Sequence, residues 1–126
     1  MRILLNITLL ASFVFPLASK ASTTDPIIIQ PKNGETLEDS DRYTKQYFLC
    51  VKENAIRYTK TGESAEAIAK AAVSACENLI AKSTSSNIYW LNSSKLAQQE
   101  MIEKLRQYGE NVGIKYAMDE KLKQAK

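Results

Sequence analysis

Among the side chains able to do chemistry, two cysteines stand out by position: Cys50 and Cys76 lie nearly symmetrically about the turn signal Thr61-Gly62-Glu63-Ser64. Antiparallel helices set residues side by side when they are equally far from the connecting turn. Cys50 is 12 residues before Gly62 and Cys76 is 14 after it, which at 1.5 Å per residue means roughly 18 and 21 Å from the turn. A disulfide needs Cα atoms about 4.4–6.8 Å apart, closer than helix axes usually lie. Both cysteines must therefore face the seam of one helical hairpin. Pairing consumes both thiols, which removes the thiolate as nucleophile and as metal ligand.

The remaining inventory excludes more than it offers. The chain has no histidine, the usual general base and a common metal ligand near neutral pH. Glu35, Glu38, Asp39 and Asp41 cluster ahead of the first helix, and Glu100 and Glu103 stand one helical turn apart. Carboxylate pairs run glycoside hydrolysis or hold calcium. The first group lacks the alternating ligand spacing of a calcium loop, and the second sits among Lys104 and Arg106 as surface charges do. There is no Gly-x-Ser-x-Gly, and Ser93-Ser94-Lys95 lacks the Ser-x-x-Lys spacing. The sequence predicts no catalytic, metal or cofactor site, and a carboxylate-dependent hydrolase ranks last among its readings.

A disulfide requires an oxidising compartment, and the N-terminus supplies one independently. Arg2, an apolar stretch from Ile3 to Leu17 and the small-residue segment Ala18-Ser19-Lys20-Ala21 read as a signal peptide over residues 1–21. The stretch is short for a membrane span and carries Asn6, Thr8 and Pro16, so no stable span is expected after cleavage. The remaining 105 residues suffice for one domain. Arg2 and Lys20 leave with the signal, so the net charge falls from +3 to +1. That balance gives no concentrated basic face and argues against nucleic acid as a partner.

Residues 22–37 read as an extended arm, with Pro26, Pro31 and Gly34 and no helical periodicity. Within it Ile27-Ile28-Ile29 is a β-branched run between two prolines. It reads as a strap over the helical core, or as a strand offered to a partner's sheet edge. Residues 38–126 read as the helical domain. Its first helix is expected to be capped by Asp39 or Ser40 and to bury Tyr43, Tyr47, Val51, Ala55 and Tyr58, with Leu49 and Ile56 on the opposite side against a second neighbour. The alanine-rich second helix is expected over 64–82, burying Ile68, Ala72, Ala75, Cys76 and Leu79. Ser83 to Asn87 reads as a polar break. The apolar cluster Ile88-Tyr89-Trp90-Leu91 follows; Tyr89 and Trp90 are residue types of interface hot spots, and the alternative for Trp90 is to anchor the last helix in the core. Asn92, Ser93 or Ser94 then caps a long helix through Met101, Ile102, Leu105, Tyr108, Val112 and Tyr116. Gly109 and Gly113 lie near that stripe, either permitting close packing or breaking the helix. Residues 121–126 read as a fraying end. Asn92-Ser93-Ser94 also matches an N-glycosylation acceptor.

The run Cys50, Ala55, Tyr58, Ile68-Ala69, Ala71-Ala72 and Cys76 behind a signal peptide resembles small exported bacterial proteins that carry an alanine-rich Cys-to-Cys helical hairpin and have no assigned activity. The resemblance implies a periplasmic or secreted location and transfers no functional residue. The fold class expected is all-α: a small bundle of three or four helices with a disulfide-linked hairpin and an extended N-terminal arm. The function expected is non-catalytic binding of a cell-envelope protein, as an inhibitor, immunity factor or envelope-stress protein, with Ile27, Ile28, Ile29, Tyr89 and Trp90 as partner contacts. The alternative is a carrier holding a small apolar ligand between helices. The sequence sets no oligomeric state.

Overall fold

The structure, a computed structural model, describes residues 25–126; the signal segment predicted over 1–21 lies outside the described residues. Among the described residues the regular structure is entirely helical: α1 (Leu37–Tyr58), α2 (Ala65–Ala75), α3 (Glu77–Ser85), the one-turn α4 (Ile88–Leu91) and α5 (Lys95–Gln124), with 3₁₀ turns at Lys32–Gly34 and Thr59–Thr61. The all-α bundle is as expected. The second predicted helix is divided in two and the apolar cluster adds a turn, which accounts for five helices rather than three or four.

The cap of α1 is Thr36, not Asp39 or Ser40. Thr36 Oγ1 accepts from the Asp39 N–H (3.4 Å) while the Asp39 carboxylate accepts from the Thr36 N–H (2.8 Å), a reciprocal capping box. The Thr36 N–H first and the Thr36 hydroxyl second, both donating to the Asp39 carboxylate, hold it below its ordinary range. Ser40 is instead buried and donates to the Ser83 carbonyl (2.8 Å) across the α1–α3 contact. Tyr47, Val51 and Ala55 make the buried face of α1. Leu49, expected against a second neighbour, is exposed.

Gly62, at φ 76°, turns the chain out of α1, and Ser64 caps α2 by accepting from the Ala67 N–H (3.2 Å). The Cys50–Cys76 disulfide closes the hairpin at a Cα–Cα distance of 6.0 Å. It also marks where the predicted 64–82 helix breaks. Cys76 leaves helical geometry (φ −107°, ψ 6°), and α3 resumes with the Leu79 N–H bonded to the Cys76 carbonyl (3.0 Å). Helix axes normally keep about 8–10 Å apart, and the break falls at the residue that must come closer. The buried face of α2 and the break is Ile68, Ala69, Ala72, Val73 and Cys76, while Ala75, predicted inside, is exposed. Because α2 touches both α1 and α5, its buried face is wider than a single stripe.

The polar tract does not break the chain where expected. α3 runs through Ser85, and Ser83, Thr84 and Ser86 are buried. Burial is tolerated because each hydroxyl is satisfied: Ser83 Oγ meets Thr44 Oγ1 (2.6 Å), Thr84 donates back to the Ile80 carbonyl (2.9 Å), and Ser86 to that of Lys82 (2.6 Å).

Ser94 caps α5, which is continuous through both glycines. Gly109, Gly113 and Ala117 are its buried line, four residues apart each time, and Tyr108, predicted in the stripe, is 57% exposed. The space over Gly109 is taken by the Tyr47 hydroxyl and that over Gly113 by Ala69. The end of α5 is not frayed: Lys121 Nζ donates to the Glu63 carbonyl and Gln124 Nε2 to Thr59 Oγ1 (3.2 Å), docking it on the hairpin turn. No described helix is long and apolar enough to cross a membrane.

Candidate functional site

Ahead of Pro31, the arm hydrogen-bonds to the bundle through one residue, Ile29. The Ile29 N–H donates to Asn92 Oδ1 (2.8 Å), and Asn92 Nδ2 donates back to the Ile29 carbonyl (2.8 Å). One side-chain amide can bond both groups of a single residue only where that residue is extended, so that its N–H and C=O lie on one edge. The prolines favour this by biasing Asp25 and Gln30 toward extended backbone. Asn92 Nδ2 also donates to the Ile88 carbonyl (2.8 Å), closing α4. Beyond Pro31, Asn33 (φ 64°) and Gly34 (φ 67°) turn the chain into α1.

This clamp does not press the isoleucines onto the core. Ile27 is 92% exposed, Ile28 58% and Ile29 53%, so the strap expected to cover the helices covers nothing. Pro26, Ile27 and Ile28 instead line, with Ile88, Tyr89 and Asn92, a groove of about 450 Å³ beside α4. Tyr89 is 70% exposed at its rim. Of the residues predicted as partner contacts, the structure thus brings Ile27, Ile28 and Tyr89 together, and Ile29 holds the arm in place.

Trp90 has a different task. Its indole N–H donates to the Gln98 carbonyl (3.3 Å), and Gln98 Nε2 donates back to the Trp90 carbonyl (2.8 Å). It is half-buried, lies outside the main core and staples α4 to the first turns of α5.

Asn92 is the residue the sequence reading placed in another role. As a cap or glycan acceptor it gave no sign of a contact 63 residues away. Its Nδ2 would lose one of two donated hydrogen bonds on glycosylation, so the clamp and a glycan compete.

No protein family, curated protein or solved structure matches the chain.

Chemistry elsewhere on the surface is sparse. Glu100 and Glu103 line an open groove of about 420 Å³ with Gln99, Ile102 and Arg106. Arg106 is committed there: its Nε donates to Glu77 (3.0 Å), joining α5 to α3, and its Nη1 lies 3.8 Å from Glu103. Glu35 accepts from the Tyr43 hydroxyl (3.4 Å), and Asp39 serves the cap and pairs with Arg42 (2.6 Å). Among the described residues no group of three or more His, Cys, Asp or Glu side chains is placed to hold a metal ion. A smaller apolar cleft of about 220 Å³ lies beside the hairpin turn, lined by Tyr58, Ile68 and Ala71. The Tyr47 titration is pushed up to about 12 by burial first and by the Glu77 charge second.

Proposed function

We propose that this is an exported, non-catalytic protein-binding module whose contact face is the arm together with α4. The observation that carries the reading is the clamped arm. Two backbone hydrogen bonds fix an extended segment that leaves Ile27 and Ile28 in water beside an exposed Tyr89. Contiguous exposed apolar surface marks interaction sites in soluble proteins, and a prefixed segment loses less entropy on association than a free one. The Cys50–Cys76 disulfide supports an oxidising location, periplasmic or secreted. A carrier role finds less support, because Tyr47 and Ala69 occupy the space over Gly109 and Gly113 where a ligand would lie between helices.

The test is capture from an envelope extract by the wild-type protein and by Tyr89→Ser and Ile27→Ser/Ile28→Ser variants. A stoichiometric protein captured by the wild type and lost from both variants is the expected result. Capture that ignores these substitutions, or a co-purified lipid in place of a protein, overturns the reading.

A further inference from the structure

We propose that the outer edge of the arm pairs with the same edge of a second copy of this chain, antiparallel and centred on Ile28. This names the partner of the contact face and rests on the non-catalytic binding reading.

The clamp decides which edge is free. Along an extended strand, successive residues present their N–H and C=O groups to opposite edges. Asn92 holds both groups of Ile29, so Ile27, Ile29 and Pro31 address the bundle while Pro26, Ile28 and Gln30 address solvent. No hydrogen bond from another described residue reaches those three. An unpaired edge of this kind is a template for another extended chain.

The prolines favour a second copy. With Ile28 opposite Ile28, the two residues exchange a reciprocal pair of N–H···O=C bonds, and each Gln30 N–H meets the Pro26 carbonyl of the other copy. Pro26 has no N–H to give, and this register leaves only the terminal Gln30 carbonyl without a donor. Pro31, also without an N–H, falls on the inner edge, where the ladder asks nothing of it. Charge agrees: the segment begins at Asp25 and ends at Lys32, so antiparallel pairing brings each acid toward the other copy's base, whereas parallel pairing sets like against like. Residues directly opposed project on the same face. The second copy's Ile28 therefore lies beside Ile28 on one face, covering apolar surface left exposed in one copy.

Sedimentation equilibrium of the purified protein tests this. A reversible dimer is expected. Ile28→Pro, which removes the central donor while keeping an extended φ, should weaken it by about tenfold or more with helicity and Tm unchanged, since Ile28 lies outside the helical core. Asp25→Lys and Lys32→Asp should each weaken association, and the double exchange should restore it. A protein that stays monomeric at every soluble concentration, or a dimer indifferent to Ile28→Pro or not rescued by the charge exchange, overturns the proposal. A monomer that still captures an envelope protein through Tyr89 loses only the self-pairing; a monomer that captures nothing loses the binding reading as well.

Discussion

Gly113 of α5 lies flat against Ala69 of α2: a Cβ on Gly113 would stand 2.9 Å from the Ala69 Cα, 2.9 Å from its Cβ and 3.5 Å from Val51 Cγ1. Ala69 is fully buried and the contact is with backbone, so no side-chain rotation relieves it. Gly113→Ala gains about 1 kcal/mol in helix propensity but forces apart the most extensive helix pair of the fold, and overpacking costs about 1–3 kcal/mol. The net expectation is a loss of about 1 kcal/mol, the middle of a range of about 0–2 kcal/mol, read as a lower urea midpoint at unchanged slope. A midpoint equal to or above wild type would show that the two helices separate freely here.

The disulfide joins residues 26 apart in sequence. In the chain-entropy account a loop of that length contributes about 3.5 kcal/mol. A Cys50→Ala/Cys76→Ala variant should be less stable than the oxidised protein by about that amount, and reduced wild type should resemble the variant. The native protein should take up no alkylating reagent until reduced. Labelling of both sulfurs without reductant would remove the hairpin's cross-link from the account.

How much of this was legible in the sequence differs by element. The hairpin was, because Cys50, Gly62 and Cys76 constrain one another geometrically. The break at Cys76 was not: Val73, Ser74, Cys76 and Asn78 are weaker helix formers than the residues around them, but no Gly or Pro marks a stop, and the lateral approach demanded by the cross-link falls there. Ser83 to Asn87 reads as a polar break because composition cannot show that Ser40 and Thr44, some 40 residues earlier, would bond Ser83 in the interior. Thr36-x-x-Asp39 is a readable capping box, and Asp39 and Ser40 are cap-type residues that compete with it in the sequence. At the candidate site, Ile27, Ile28 and Tyr89 were legible as apolar residues in polar or irregular surroundings. What joins them is Asn92, whose amide contact with Ile29 leaves no periodic or compositional trace.

Tyr47 links the core to alkaline stability. Its hydroxyl is buried over Gly109 and donates to the Leu105 carbonyl (3.3 Å), and burial raises its titration to about 12 from an ordinary 10. The folded state therefore keeps a proton that the unfolded chain releases. The contribution is fully present below pH 10 and is lost as pH rises from there toward 12. Between about pH 9 and 11 wild type should lose about 1 kcal/mol more than Tyr47→Phe does, since phenylalanine has nothing to ionise. Parallel loss in the two proteins, followed by urea denaturation across that range, would mean that the hydroxyl is not shielded.

Asn92→Ala isolates the arm from the bundle. The two Ile29 bonds are the hydrogen bonds that tie residues 25–31 of the arm to the helices, and the arm contributes nothing to the buried core. The helices should accordingly stay within about 1 kcal/mol of wild-type stability, while the Ile29 amide loses its protection from hydrogen exchange and the peptide bonds around it become accessible to protease. Asn92→Asp separates the two halves of the clamp: it keeps an acceptor for the Ile29 N–H and loses the donor to the Ile29 carbonyl, so its amide should exchange more slowly than in Asn92→Ala. An Ile29 amide that exchanges as fast in wild type as in Asn92→Ala would show that the arm is unclamped, and the distinction between its inner and outer edges would go with it.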